Sequence, residues 1–385
     1  MKLYSERAGK IYHVQSDYDC FVPTSLFNIN INNDNELSSL LSEASLLLGQ
    51  LDGIATSLPN RDLFLSMYVK KEATVSSQIE GTQTSLSDFL QVEKKDIKKR
   101  KDTEEVVNYV RALNMGISLL DSLPISFRYI KELHKELLKG VRGESKNPGE
   151  VRRSQNWIGP AGGTLTDATY VPPSVDKMDD CIYDLENYMN STIEVPFLIK
   201  IALIHYQFET IHPFLDGNGR LGRLLIPLWL KESKVLNYPL IYLSLYFKEN
   251  RQEYYSLLMD VRFKGRYEEW IKFFLIGVTL MSKQSIKTIG ELSKTRDDCI
   301  NLINRGASHA KGNQLRLLTL LLKHPYIDST DVVSGLEVSK PTAGKLLQDF
   351  VDMGIISSID KSKQRYVTYR FDKYADILES GTEAK

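Results

Sequence analysis

The chain has 385 residues, of which 42 % are apolar and 25 % charged, with 49 Lys and Arg against 49 Asp and Glu. That balance excludes whole-chain disorder and fibrous repeats, and a formal charge of zero argues against a protein that coats a polyanion. At this length two or three domains are expected.

The N-terminal segment to about residue 36 lacks helical period, and Pro23 with the Asn-rich run Asn28–Asn35 reads as an extended arm with turns. From Leu37 to Leu58 the residues Leu40, Leu41, Ala44, Leu47, Leu48 and Leu51 recur at helical spacing. Pro59 and Asn60 break that helix, and a second is predicted from Arg61 to Ile79, with Gly81 placed to end it. The charge run Glu93–Glu105 reads as a solvated connector. Helices follow over Glu104–Leu123, Ser126–Gly140 and Ser174–Asn190. Between the last two, Asn147–Pro173 is rich in Gly and Pro, with short β-capable pieces around Trp157 and Tyr170. This predicts a long hairpin-like loop of the kind that carries function. A helix over Val195–Ile211 places Leu198, Ile201, Ala202, His205 and Phe208 on one face and ends at His212, which precedes Pro213. Another begins near Gly219, and further helices are expected over Gln252–Arg262, Glu268–Met281 and on to Ile303. In the last 75 or so residues, helices near Gln314–Lys323, Ser329–Leu336 and Ser339–Gly354 precede two short strands, Ile355–Ser358 and Arg365–Phe371, about a turn at Asp360–Lys363. That pattern is a winged helix-turn-helix.

Cys20, Cys181 and Cys299 are far apart and odd in number. They suit neither a metal site nor a disulfide framework and point to a reducing, cytoplasmic setting. No secretory h-region opens the chain, and no apolar stretch approaches the roughly 20 residues that span a bilayer, so no membrane partner is expected.

The densest polar cluster is His212-Pro-Phe-Leu-Asp216-Gly217-Asn218-Gly219-Arg220-Leu-Gly-Arg223. A histidine at a helix end can act as a base near neutral pH. Asp216 offers a hard oxygen ligand suited to Mg²⁺. Gly217, Asn218 and Gly219 lie where a helix begins, so their backbone N–H groups can face an anion. Arg220 and Arg223 can fork onto phosphate oxygens. Taken singly, each has a plain structural explanation: a turn His, an N-cap Asp, two solvated arginines. Together they describe a phosphate-handling site. The same residues satisfy G-x-G-x-x-G, but a long helix precedes them where a dinucleotide fold requires a strand, and no Walker A loop is present.

This stretch resembles, at every defining position, the Fic family motif H-x-F-x-[DE]-G-N-G-R-x-x-R. The resemblance implies a mainly α fold: a Fic-type helical core with a small β-hairpin flap, followed here by the winged helix. It implies a protein adenylyltransferase that moves AMP from ATP to a Tyr, Thr or Ser hydroxyl of a target protein, itself included, and releases pyrophosphate. His212 would be the catalytic base, Asp216 the Mg²⁺ ligand, and Phe214 a buried anchor. Gly217, Asn218, Gly219, Arg220 and Arg223 would bind the phosphates, with Arg223 on the γ-phosphate. Tyr246, Asn250 and Tyr254 would line the adenine pocket. Arg153–Ile158 and Thr169–Pro172 would be the arms of the flap that registers a target segment.

Upstream, Ser76-Ser-Gln-Ile-Glu80-Gly81 matches the family's inhibitory pattern [ST]-x-x-x-E-[GN]. By resemblance, Glu80 would pair with Arg223 and withdraw it from the γ-phosphate. The alternatives are removal of AMP at the same site, with Glu80 positioning a water; transfer of another group, such as UMP or phosphocholine; and a winged-helix DNA-binding regulator. From Ser308 onward 11 Lys and Arg face 10 Asp and Glu, a weak electrostatic footprint for DNA. Dimerisation or target choice is the expected role of that end. The domains expected are 1–100 (arm and inhibitory helix), 101–306 (catalytic core) and 307–385 (winged helix). His205 is expected to be a satisfied core histidine, and His134 has no partner legible in the sequence.

Overall fold

The computed structural model describes residues 5–14, 18–58, 61–92, 101–160, 162–306, 310–359 and 367–383. Of the connector expected over Glu93–Glu105, residues 93–100 lie outside them, as do the turn at Asp360–Lys363 and residues 365–366 of the second expected strand; residues 101–105 open a helix and Glu105 is buried, so that end is not a solvated connector.

An antiparallel hairpin opens the chain. β1 (Gly9–Val14) pairs with β2 (Tyr18–Pro23), Gly9 opposite Pro23 and Val14 opposite Tyr18. The extended arm with turns expected here is thus a paired ribbon. The aromatic and β-branched content of these short strands suits a half-buried position, and Cys20, Phe21 and Pro23 are the buried side chains of β2. Helix α1 (Asn35–Thr56) is capped by Asp34, whose carboxylate accepts from Leu37 N at 2.7 Å.

Helix α2 (Arg61–Ile79) has the bounds expected from the sequence. From Met67 to Ile79 every residue except Gln78 is buried, charged ones included. Each buried charge therefore needs a partner: Glu72, for example, accepts from Tyr109 Oη at 3.2 Å and from the Ser244 hydroxyl.

The short α3 (Leu86–Val92), α4 (Lys101–Leu119) and α5 (Phe127–Leu137) follow, then α6 (Val175–Met189) and α7 (Phe197–Ile211). Leu198 to Ile211 is buried on every side, which makes α7 a central helix and not the one-faced helix read from the sequence. α8 (Asn218–Glu232), α9 (Leu243–Glu249), α10 (Arg251–Lys264) and the 39-residue α11 (Tyr267–Arg305) complete the core. The two helices expected over Glu268–Ile303 are thus one.

The C-terminal unit comprises α12 (Lys311–Lys323), β3 (Tyr326–Ile327), α13 (Ser329–Leu336), α14 (Lys340–Asp352), β4 (Ser357–Ser358), β5 (Tyr369–Arg370) and α15 (Asp372–Glu379). Asp328 and Asp331 form a reciprocal capping box on α13, and Ser339 caps α14. The two expected strands are shorter than predicted and gain a third, in the antiparallel order β3-β5-β4. α15 packs on α11 and α2. Among the described residues no helix is long and apolar enough to cross a membrane.

Candidate active site

His212 ends α7 in a left-handed conformation, φ 49° and ψ 60°. A non-glycine residue seldom holds that geometry unless its surroundings enforce it. Here Arg152 Nε and Asn156 Nδ2, both from the Gly/Pro-rich loop, each donate to His212 O at 3.1 Å. Asn156 Nδ2 also donates to Phe214 O at 2.9 Å.

The turn after His212 is fastened from within. Asn218 Oδ1 accepts from Phe214 N at 2.9 Å, and its Nδ2 donates to Phe214 O at 2.8 Å. Asn218 thus spends both ends of its amide on Phe214, and it lines the cavity, to which it offers its backbone N–H. Gly217 holds φ 78° as the residue before α8, a backbone state that costs glycine little. Its N–H is taken by Asp216 Oδ1 at 2.6 Å, so the N–H groups that α8 presents begin at Asn218 and Gly219.

His134, unplaced by the sequence, has a clear task. Gly149 N donates to its Nδ1 at 2.8 Å, which leaves Nε2 to carry the proton and donate to Asp216 O at 2.9 Å. Its ring stacks on Phe214 with centroids 3.9 Å apart. Phe214 itself is fully buried, as expected of an anchor. Burial lowers His134 to about 4, which keeps the ring neutral and the Gly149 bond intact.

Arg220 and Arg223 are both 1 % exposed, so neither belongs to a solvated helix face. Arg220 Nη1 donates to Glu105 Oε2 at 3.2 Å, and its Nη2 lies 3.6 Å from Asp216 Oδ1. Glu105 also accepts from Thr82 Oγ1 at 3.0 Å. Arg223 Nε donates to Ser76 Oγ and its Nη2 to Ser76 O, both at 3.0 Å, and Nη2 also donates to Glu80 Oε1 at 2.8 Å. A methyl group on Gly219 would sit 2.5 Å from that same Oε1, so the carboxylate lies over the first turn of α8. Gly81, just beyond, adopts φ 95° and turns the chain away from α2. Burial alone would raise Glu80, but the charge and hydrogen bond of Arg223 outweigh it and hold the carboxyl below its usual value.

These groups surround a cavity of about 530 Å³, which His212, Asp216, Gly217, Gly219, Arg220, Arg223 and Glu80 help to line. Trp157, Ile158 and Thr169 edge it from the loop. The expected hairpin arms meet there in a single antiparallel bridge, Ile158 to Tyr170. β2 braces the loop through Phe21 N and Val171 O at 3.0 Å. From α10 come Arg251, Tyr254 and Tyr255. Asn250 and Tyr246 are not part of the lining: Asn250 heads α10 and donates its amide to Tyr246 O at 2.9 Å, while Tyr246 is turned into the core against Phe273.

Burial, joined by the positive charge of Arg262, lowers His212 to about 4, so the ring is a neutral base at pH 7. His205 is the core histidine expected: its Nδ1 donates to Gly222 O at 3.2 Å and its Nε2 accepts from Tyr254 Oη at 2.9 Å. Glu209, one turn before His212, was missed by the sequence reading. It lines the cavity, its Oε1 has no hydrogen-bond partner among the described residues, and burial pushes the carboxyl up to about 7.

Residues 38–118 match the model of the Fic/DOC family N-terminal region, and residues 124–230 match that of the Fic/DOC family itself. Over those residues the chain is of the Fic/DOC family. The fic-1 protein adenylyltransferase of Caenorhabditis elegans is 26 % identical over 229 residues, 59 % of this chain and 40 % of the relative. The Fic protein adenylyltransferase of Drosophila willistoni is 32 % identical over 146 residues, 37 % of this chain and 26 % of the relative. The chain therefore spans less than half the length of these curated relatives. A Fic family protein from Desulfovibrio desulfuricans G20 shares the fold over 89 % of this chain and 97 % of its own, with a TM-score of 0.57 at 20 % identity. A Fic domain containing signaling protein from Bacteroides thetaiotaomicron does so over 66 % of this chain and 97 % of its own, with a TM-score of 0.51 at 21 % identity.

Proposed function

We propose that this Fic protein is a protein adenylyltransferase, moving AMP from ATP to a hydroxyl side chain of a target protein, and that Glu80 restrains it. The observation that carries the reading is a neutral His212 sharing one cavity with the N-terminal turn of α8 and a buried Arg223. In the transfer, the target hydroxyl oxygen bonds to the α-phosphorus as the α–β bridging bond breaks, and pyrophosphate leaves with that electron pair. His212 takes the hydroxyl proton. The strained turn, pinned through the His212 carbonyl, fixes where the ring stands, and positioning of this kind is much of phosphoryl-transfer catalysis. The backbone N–H groups of Asn218 and Gly219, with the dipole of α8, stabilise charge on the phosphates. Arg223, once free of Glu80, binds the γ-phosphate, while Arg220 steadies Asp216 between that residue and Glu105.

The residues also suit Mg²⁺. Asp216 is a carboxylate with its side chain one-third exposed at the cavity, and Mg²⁺ is commonly held by one or two carboxylates together with substrate phosphates. Asp216 would hold the ion, which when bound offsets phosphate charge.

The bridge at Ile158 supports a flap that pairs with an extended target segment, and self-modification is included among the targets. Cys20, Cys181 and Cys299 are buried free thiols, which supports a cytoplasmic setting. The division at about residues 100 and 306 is retained as part of the same reading, with the C-terminal unit as a winged helix serving assembly or target choice.

The test is to incubate the Glu80→Gly protein with ATP labelled at the α- or the γ-phosphate, Mg²⁺ and a lysate, and to identify labelled peptides by mass spectrometry. The α-label should appear on Tyr, Thr or Ser, the γ-label should not, and adding His212→Ala should abolish the α-label. Equal labelling with and without His212 would refute the proposal.

A further inference from the structure

Helix α2 presents Ser76 and Glu80 to Arg223, and a second set of contacts grips the same turn. Lys71 Nζ donates to Ser380 O at 2.7 Å. Gln78, midway between Ser76 and Glu80, donates through Nε2 to Thr382 O at 2.9 Å. Lys248 Nζ on α9 donates to Gln78 Oε1 and to Glu383 O, both at 2.7 Å. Three side-chain donors thus read three main-chain carbonyls of the segment 380–383. Recognition through the main chain is how protein grooves hold an extended peptide. Thr382 is 1 % exposed. Gly381 adopts φ +80°, and a Cβ there would lie 3.1 Å from Leu245 Cδ1 of α9, so the segment fits closely and depends on that glycine.

The grip continues into the C-terminal unit. Ser87 Oγ on α3 lies 2.9 Å from Tyr326 Oη on β3. Tyr326 bonds Glu379 at the end of α15, and Arg370 Nη2 on β5 donates to Glu379 Oε2 at 3.0 Å. These strands and α15 are thereby tied to α3, the helix that follows the inhibitory segment.

We propose that the groove between α2 and α9 is a peptide-binding surface whose occupant is the chain's own segment 380–383, and that this docking keeps Glu80 on Arg223. Undocking the segment, as a partner of the C-terminal unit would do by moving it, releases the restraint. The inference rests on the inhibitory reading of Glu80 given above and adds the device that sets its strength.

The test is Gly381→Val in the full chain, with a chain ended at Glu379 as a second route to the same undocked state. Hydrogen–deuterium exchange across Ser76–Gly81 should quicken several-fold in both. Transfer of α-label should rise several-fold as well, with no further gain when Gly381→Val is added to Glu80→Gly. A synthetic peptide of residues 376–385 should restore slow exchange to the shortened chain. Unchanged exchange across Ser76–Gly81 overturns the proposal even where Glu80→Gly labels fast. Quickened exchange with no gain in labelling by Glu80→Gly overturns the reading of Glu80 instead and leaves the docking groove standing.

Discussion

The carboxylate of Glu80 meets the guanidinium of Arg223 at 2.8 Å while lying over the first turn of α8. One side chain thus fills two anion-binding features at once, the arginine and the helix N-terminus. A residue 143 positions upstream stands where a phosphate would be favoured on both counts.

Ser76 shares the hold on Arg223. Its hydroxyl accepts from Nε at 3.0 Å, and its carbonyl accepts from Nη2 regardless of the side chain. Ser76→Ala removes the first bond only. A hydrogen bond to a charged group is worth about 1.5–3 kcal/mol, part of which water recovers. Label transfer should therefore rise about fivefold over wild type, less than in Glu80→Gly, and the double variant should match Glu80→Gly.

The pH profile should carry the mark of a depressed imidazole. With His212 at about 4, the base stays free of its proton down to that region. In the Glu80→Gly protein the acid limb of the rate should fall well below the ordinary histidine value of about 6.5. Stopped label-transfer rates from pH 8 to 4.5 measure it, and a limb centred near 6.5 would mean that His212 is neither buried nor the base.

Stability against acid follows from opposed groups. His134 and His212 titrate near 4 and His205 near 3 when folded. As pH falls below about 6.5 the unfolded chain therefore takes up three protons that the folded chain refuses, and stability is lost. Glu72 and Glu209, held near 7, do the reverse: folded, they bind protons that the unfolded chain refuses until about 4.5. Their contribution is present at low pH and lost as pH rises through 7. Between 6.5 and 4.5 three histidine protons oppose two glutamate protons, so one proton's worth of slope remains; below 4.5 the histidines lose that opposition and are joined by carboxyls held low in the fold, Glu80 and Glu268 among them, and stability drops more steeply. Glu209→Gln removes one offsetting group and should steepen the slope between 6.5 and 4.5 by about 1.4 kcal/mol per pH unit. Urea unfolding at pH 7, 5.5 and 4.5 reads it directly.

The turn after His212 is held by a buried amide. Asn218→Ala leaves the Phe214 N–H unpaired, while the carbonyl keeps Asn156, at a cost of about 1–3 kcal/mol. The unfolding midpoint should fall accordingly. In the Glu80→Gly background label transfer should drop by tenfold or more with nucleotide affinity changed less, because the amide fixes the loop and not the ligand.

Helix positions were legible wherever an apolar stripe or a cap marked them. α2 was read close to its observed bounds, and α14 was read from Ser339, the residue that caps it. The seven-residue α3 and α9 left no signal, since so few residues carry little periodicity, and α15 was passed over although α13, equally short, was read between its neighbours. α7 was legible as a helix but not as a buried one, because Lys200, Gln207 and Glu209 suggest a wet face. The polar centre of the site was readable because its residues are contiguous. The shell around it was not. Glu105, His134, Arg152 and Asn156 reach the turn from other elements, and only the fold brings them there. Glu209 alone had a signal, standing one helical turn before His212. The bonds from Asn218 to Phe214 were not legible for a related reason: sequence shows that an amide is present, not what it is bonded to.

The most direct test is the rate of α-label transfer by Glu80→Gly relative to wild type at saturating ATP and Mg²⁺. A charge-assisted pair worth about 1.5–3 kcal/mol predicts an increase of roughly tenfold to a hundredfold. An unchanged rate would show that the pair between Glu80 and Arg223 restrains nothing.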